Sequence, residues 1–386
     1  MTKIPYGKQD VQPADVDAVV AALHSDWLTQ GPQVEAFEAA TAAYTGAAHA
    51  LAVSSGTAGL HLGLLALGVG PGDRVWTSPN TFVATANAAR LCGAAVDFVD
   101  IDPRTYNLDA GRLAAKLAAA EAAGALPKVV IPVHFAGQPC DMAEIAALAR
   151  RYGAAVLEDA CHAVGAAYAG AKVGACAYSD AAVFSYHPVK IVTTGEGGML
   201  VTNRAEVHAR AALLRTHGVT RDPAMMTGEP HGGWYYEQTA LGLNYRITDL
   251  QCALGLSQMT RLDAYVARRE ALAGRYDEAL ADLPLTLPFQ APGRRSARHL
   301  YPVHVGTAAK RRAVYDRLHA AGILVNVHYI PVHTHPYYRN LGFAAGNFPE
   351  AERYYAGALS LPLYPALGEA EQDRVIAQLR AAVAAA

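Results

Sequence analysis

Two residues that end apolar runs offer the first chemistry. In FSYHPVKIVTTGEGG (184–198), Lys190 stands just beyond the run DAAVFS, beside Pro188 and a loop of small residues. An amine desolvated there can act as a nucleophile towards an aldehyde. A lone lysine is more often a surface side chain whose stem packs while its head reaches water. In VLEDACHAVGA (156–166), Asp159 closes the run AAVLED. Open α/β sheets place ligands at the carboxyl ends of their strands. A carboxylate buried there needs a cationic partner, such as a protonated pyridine nitrogen; an Asp at this point also commonly caps the next helix. His162, a little further on, could reach a ring hydroxyl or simply pack.

AVSSGTAGLHLGL (52–64) reads as a strand, a turn of small residues and a helix start, whose free N–H groups suit a phosphate. Many α/β proteins carry such a turn. Phe82, in SPNTFVATANA, could stack on a planar ring or belong to the core. Each feature is weak alone, but they occur in order on one alternating α/β segment: anion site, stacking face, strand-end Asp, strand-end Lys. Together they are the parts that hold a phosphorylated pyridine aldehyde, with the lysine joined to it as a Schiff base. Pyridoxal 5'-phosphate (PLP), with its aminated form PMP, is the cofactor this set predicts. Competing ligands find less support. GVGPGD (68–73) follows a helix instead of a strand, and GAAYAGAK (165–172) has no Ser or Thr after its lysine, so neither a dinucleotide fingerprint nor a Walker loop is present. HYIPVHTH (328–335) holds its histidines without carboxylate or cysteine company, which favours a substrate loop over a metal site. No metal is expected.

The elements that must position these residues alternate from about residue 47 to 202. Strand patterns at 49–53, 74–78, 95–100, 128–134, 154–159, 180–185 and 197–202 are apolar almost throughout, and helical patterns at 57–67, 82–91, 109–123 and 142–152 separate them. Such runs predict a mostly parallel sheet covered on both faces. After Asn244 the pattern changes. A long helical stretch from Ile247 towards Leu283, broken near Thr260, leads to a strand LYPVHV, a helix at 309–321, a strand near 324–328 and a last helix at 369–385. The reading is a large α/β domain with an N-terminal arm (1–250) and a smaller α+β domain (251–386).

Hydrophobic residues make up 52% and charged residues 17% of the chain, which excludes a disordered protein. A formal net charge of -2 gives no general attraction for nucleic acid or anionic lipid. No segment has the apolar length of a membrane span, and the first residues lack the core of a signal peptide. A soluble, cytoplasmic protein is expected. Cys92, Cys140, Cys161, Cys176 and Cys252 are dispersed, without a C-x-x-C pair, and predict reduced thiols.

SSGTAGLHLGL, SPNTFVATANA, LEDACHAVGA, FSYHPVKIVTTGEGG and GLNYRITDLQCALGLSQ resemble the DegT/StrS-type sugar aminotransferases in sequence, spacing and order, and the likeness runs from Tyr6 nearly to the C-terminus. The resemblance implies the α/β fold type I of PLP-dependent transferases (aspartate aminotransferase-like). It also implies ping-pong transfer from L-glutamate, released as 2-oxoglutarate, to a nucleotide sugar. Lys190 would be the Schiff-base lysine and proton shuttle, Asp159 the partner of the pyridine nitrogen, and His162 a neighbour of the ring hydroxyl. Phe82 would stack on the ring, and Gly56, Thr57 and Ser185 would hold the phosphate. Asn244, in GLNYR, is expected to reach the phosphate of the neighbouring subunit, so a homodimer with shared active sites is implied. Cys161 stands where Ala, Ser or another small residue is usual in the family, and it fits sterically.

WLTQGPQVEAFE (27–38), His187 in SYHPVK, TTGEGG, LRTHG (214–218) and VNVHYIPVH (325–333) resemble the branch of pseudaminic acid biosynthesis. That branch aminates C4 of a UDP-4-keto-6-deoxy-N-acetylhexosamine to give UDP-4-amino-4,6-dideoxy-N-acetyl-β-L-altrosamine. By the same carry-over Tyr6, Asp26, Trp27, Leu28, Thr29, His187, His328 and Tyr329 contact the UDP-sugar, or pack as loops. Arg246 is a candidate for a carboxylate or diphosphate contact, or for an interface ion pair. Two alternatives stand beside this reading: a C4 aminotransferase for a different nucleotide-4-keto-6-deoxy sugar and, more remotely, a PLP-binding regulatory protein without turnover.

Overall fold

The computed structural model describes residues 3–386. Seven strands form the central sheet: β1 (His49–Val53), β2 (Arg74–Thr77), β3 (Ala95–Phe98), β4 (Val129–Ile131), β5 (Ala155–Asp159), β6 (Ala181–Ser185) and β7 (Gly198–Thr202). Their spatial order is β1-β7-β6-β5-β4-β2-β3. β7 runs antiparallel to both its neighbours, and the other pairs are parallel. Each apolar run read from the sequence is one of these strands, trimmed at one or both ends in all but the first.

Along β1, β2, β4, β5, β6 and β7 successive residues enter different cores, so both faces are covered. Leu51, Val75, Ile131, Leu157, Val183 and Leu200 pack with the helix Gly56–Ala66. On the other face Ala52, Phe184 and Met199 pack with the helices Pro32–Thr45 and Asp249–Met259. Trp76, Val130 and Val156 lie under Ala110–Ala122 and Met142–Arg151. A sheet buried on both faces needs near-continuous apolar strands, which is what the sequence carries.

A separate core forms beyond the sheet. β8 (Tyr301–His304) pairs antiparallel with β9 (Ala358–Leu361). The helices Leu262–Leu280, Ala308–Ala320 and Glu369–Ala384 pack on it through Leu272, Tyr276, Val314, Leu318 and Leu379. The helix Leu262–Leu280 carries the chain from one core to the other: Leu262 and Val266 belong to the sheet side, Leu272 and Leu280 to the C-terminal side. The strand expected near 324–328 is only Ile323–Leu324, and it pairs parallel with Ile4–Pro5. That pairing seats Ile4 in the C-terminal core and ties the N-terminal arm across to it. Among the described residues no helix is long and apolar enough to cross a membrane, and no group of three or more His, Cys, Asp or Glu could hold a metal ion.

Candidate active site

The carboxyl ends of β1, β5 and β6 border one cavity of about 550 Å³. β5 delivers Asp159, which is 6% exposed. Its Oδ2 accepts from Thr85 Oγ1 at 2.7 Å, and its Oδ1 accepts from the Cys161 N–H at 3.1 Å. Thr85 sits at the start of the helix Ala84–Leu91, so the helix after β2 reaches over the end of β5. β6 leads to Lys190 through a turn closed by the Lys190 N–H on the His187 carbonyl at 2.8 Å. Burial pulls the Lys190 ammonium below its ordinary value, against the opposite pull of Cys161 and Asp159. An amine of this kind gives up its proton more readily than a surface lysine.

β1 leads to the start of the helix Gly56–Ala66. Ser55 caps it: its Oγ accepts the Ala58 N–H at 3.1 Å and its carbonyl the Gly59 N–H at 3.0 Å. The N–H groups of Gly56 and Thr57 have no acceptor within a helix, because they precede its first bonded turn. Both residues line the cavity beside Ser185. A Cβ at position 56 would lie 2.9 Å from Ser185 Cβ and 3.0 Å from Cys161 Sγ, so glycine lets this helix start approach β6. Two N–H groups and a hydroxyl at a helix N-terminus form an anion site.

Three imidazoles complete the interior. His162 Nε2 lies 3.0 Å from the Tyr329 hydroxyl, while its buried Nδ1 has no partner among the described residues. Burial first, then Lys190 and His328, hold His162 well below its ordinary value. His328 Nδ1 meets Ser360 Oγ at 2.8 Å, and burial followed by Lys190 lowers this ring to about 3. His299 packs its ring 4.4 Å from His162 and is likewise held low, chiefly by burial. These three imidazoles therefore stay neutral near pH 7. Tyr6 packs 5.0 Å from the His328 ring, and Phe82, 57% exposed, lies 6.1 Å from the Tyr329 ring.

Tyr6, Gly56, Thr57, Phe82, Asp159 and His162, with Ser185, His187, Lys190, His328 and Tyr329, thus line one cavity. Asp26, Trp27, Leu28, Thr29, Asn244 and Arg246 do not line it. Trp27 and Leu28 are 54% and 49% exposed, Thr29 bridges to Thr248, and the exposed Asn244 bridges to Thr216. The lining also includes Ser55, Thr81, Thr85, Glu196 and Asn326, which sequence reasoning did not single out. Ser55 was findable as a serine at a helix start. Thr81 and Thr85 were findable as one face of a helical turn in NTFVATANA. Glu196 and Asn326 lie in TTGEGG and VNVHYIPVH, where nothing singled out either side chain.

Known proteins match the chain over almost its whole length. The spore coat polysaccharide biosynthesis protein SpsC of Bacillus subtilis (strain 168) is 42% identical over 383 residues, which are 98% of this chain and 96% of SpsC. GDP-perosamine synthase of Caulobacter vibrioides is 39% identical over 368 residues, 94% of each chain. The solved structure of Helicobacter pylori PseC, an aminotransferase involved in the biosynthesis of pseudoaminic acid, superimposes with a TM-score of 0.91 at 29% identity, covering 100% of both chains. Structures similar to this chain have been solved in PLP and PMP forms, and PLP is the cofactor. The cavity fits it. The Gly56 and Thr57 N–H groups with Ser185 could hold a phosphate, Asp159 a pyridinium nitrogen, and the unpartnered His162 Nδ1 a ring substituent. The Lys190 amine could meet the aldehyde. The sequence pattern of the DegT/DnrJ/EryC1/StrS aminotransferase family matches residues 9–380, and the chain belongs to that family of PLP-dependent sugar aminotransferases.

Proposed function

We propose that this chain moves the amino group of L-glutamate to C4 of a UDP-4-keto-6-deoxy-N-acetylhexosamine, giving UDP-4-amino-4,6-dideoxy-N-acetyl-β-L-altrosamine for pseudaminic acid biosynthesis. The observation that carries the chemistry is the meeting of Lys190 and Asp159 in one cavity with the helix start at Gly56 and Thr57. The full-length likeness to PseC supports the sugar. The likeness to GDP-perosamine synthase favours a second reading, C4 amination of another nucleotide-4-keto-6-deoxy sugar.

When bound, PLP supplies an aldehyde to carry the amino group and a pyridinium ring to take up the electrons of a broken C–H bond. Lys190 Nζ, lowered by burial, takes the proton from the α-carbon of glutamate and returns one at C4 of the sugar. Asp159, fixed by Thr85 and the Cys161 N–H, favours the protonated ring nitrogen by charge pairing. Gly56, Thr57 and Ser185 would hold the phosphate. His162 would orient the ring through Nδ1, and Phe82 would cover a face of it. Tyr6, His187, His328 and Tyr329 form the wall against which the sugar binds.

Asp26 to Thr29, Asn244 and Arg246 lie outside the cavity of their own chain, and we assign them to contacts across a homodimer. Asn244 would serve the phosphate site of the other subunit. The exposure of Trp27 and Leu28 supports a surface that a second copy covers. The C-terminal core supports a division into a large domain and a small one. We place the enzyme in the cytoplasm, with UDP-sugar and L-glutamate as its small-molecule partners.

The test is a half-reaction followed by a substrate choice. L-glutamate alone should release 2-oxoglutarate in step with conversion of PLP to PMP absorbance. The PMP form is then offered the UDP-4-keto sugar or a GDP-linked 4-keto counterpart. Turnover of the UDP sugar upholds the first reading, and turnover of the GDP sugar alone upholds the second. A loaded protein that leaves glutamate unconverted sinks both.

A further inference from the structure

Asp159 must present an oxygen in a fixed direction if it is to pair with a ring nitrogen. Its contact with the Cys161 N–H at 3.1 Å is local to the turn after β5. The longer-range restraint is Thr85, 74 residues away in sequence, whose hydroxyl meets Oδ2 at 2.7 Å. That hydroxyl has one proton and three acceptors in reach. They are Asp159 Oδ2 at 2.7 Å, Thr81 Oγ1 at 2.7 Å and the Phe82 carbonyl at 3.2 Å. The carboxylate is the strongest of these and takes the proton. Thr81 is then the donor to Thr85. The hydroxyls form a directed chain, Thr81 to Thr85 to Asp159, in which each donor strengthens the next.

Both threonines are buried, at 2% and 1% exposure. The same segment carries Phe82, whose carbonyl also accepts the Thr85 N–H at 3.3 Å. Thr85 thus fixes the carboxylate and the aromatic of the cavity relative to each other. We propose that Thr85 is a positioning residue of the reaction, acting through Asp159, and that Thr81 orients the Thr85 hydroxyl. The inference rests on the pairing of Asp159 with the ring nitrogen proposed above.

The test compares Thr85→Val, Thr85→Ser, Thr81→Val and Asp159→Asn in the full-length holoenzyme. It reads the PLP dissociation constant and the pH profile of the bound cofactor's absorbance, beside the split between kcat and KM. Thr85→Val keeps nearly the same shape and strips Oδ2 of its donor. It is expected to weaken PLP binding about tenfold. Its absorbance profile should move in the same direction as that of Asp159→Asn, with kcat falling more than KM changes. Thr85→Ser should restore binding to within about twofold, and Thr81→Val should weaken it about two- to threefold.

Should Asp159→Asn leave both the affinity and the profile unchanged, the Asp159 assignment fails and takes this inference with it. Should Asp159→Asn perturb both while the Thr85→Val and Thr81→Val proteins match the wild type, only the positioning role is overturned. Thr85→Val and Thr85→Ser proteins that melt lower but share one cofactor profile would mark a purely structural threonine and also overturn it. If Thr85→Val does not fold, Thr81→Val decides: a moved profile upholds the chain, and an unmoved one rejects it.

Discussion

Glu158 and Asp159 leave β5 on opposite faces, and the molecule treats the two carboxyl groups in opposite ways. Glu158 turns away from the cavity, among Met142, Tyr168 and Cys176, and is 4% exposed. Its Oε2 meets His134 Nε2 at 2.7 Å and its Oε1 accepts the Ser179 hydroxyl. His134 is fully buried, and its Nδ1 accepts the Cys140 N–H at 3.1 Å. A nitrogen that accepts carries no proton, so Nε2 bears it and donates to Glu158. The cluster closes within the protein. Asp159 is nearly as buried, yet each of its oxygens has one protein donor and lone pairs to spare on the side of a 550 Å³ cavity. Burial of a carboxyl group does not by itself mark function. What marks it is hydrogen-bonding capacity left open towards a space that a ligand can enter.

Substitutions on the two sides should therefore fail differently. Lys190→Ala, on the cavity side, should cut transamination by at least about a thousandfold. The apoprotein should melt no lower than wild type, because the change removes an amine whose charge burial disfavours. Glu158→Ala should do the reverse. It leaves the buried His134 Nε2–H and the half-buried Ser179 hydroxyl without their acceptor, at a cost of about 2–4 kcal/mol in urea unfolding. Turnover per folded, PLP-loaded molecule should stay close to wild type. Full stability with lost turnover in Glu158→Ala would place Glu158 in the chemistry and dissolve the contrast.

The sequence made one side of β5 easier to read than the other. AAVLED marks the strand, and its end marks Asp159, because a sheet covered on both faces is written as continuous apolar runs. Nothing local says that His134, Cys140 and Ser179 will close around Glu158, since that depends on how β4 and β5 pair across an intervening helix. His299 escaped for the same reason: it packs on His162, far away in sequence. The helix Pro32–Thr45 was missed on other grounds. Its buried face is Val34, Phe37, Thr41 and Thr45, and the two threonines bond back to carbonyls of their own helix, so the apolar period is broken. The strand read near 324–328 is short because Asn326 only bridges to Ser360, and the residues from Asn326 to Tyr329 line the cavity instead of pairing onward.

The cavity side should also give the apoprotein an acid-sensitive stability. His328 is lowered to about 3 by burial and Lys190, from an ordinary value of 6.5. The folded state then binds fewer protons than the unfolded one in this window. The stability gained from a neutral ring is present above the unfolded value of 6.5 and is lost as pH falls towards about 3. One such proton is worth about 1.4 kcal/mol per pH unit. His162 and His299 act in the same direction. His328→Gln should flatten the acid limb of a stability–pH curve by about one proton's slope. An unchanged limb would show that the His328 site does not exclude charge.

The smallest effect sharpens the comparison most. Tyr329→Phe keeps the ring beside Phe82 and His162 but removes the hydroxyl 3.0 Å from His162 Nε2. His162 would then lack a partner at either nitrogen, since Nδ1 already has none among the described residues. The loss should be about 1 kcal/mol, or about fivefold in PLP affinity, because a neutral hydrogen bond is at stake. Tyr276→Phe is the matched control. It removes a hydroxyl 3.0 Å from the Pro362 carbonyl in the C-terminal core, away from the cavity. It should lower the melting temperature and leave PLP affinity alone. If both variants lower only the melting temperature, the Tyr329–His162 contact belongs with Glu158–His134 as a fold-holding pair, and His162 does not orient the ring. If only Tyr329→Phe weakens PLP binding, the contact is made for the ligand, and a hydrogen bond of ordinary length takes its meaning from the open nitrogen on the far side of the same imidazole.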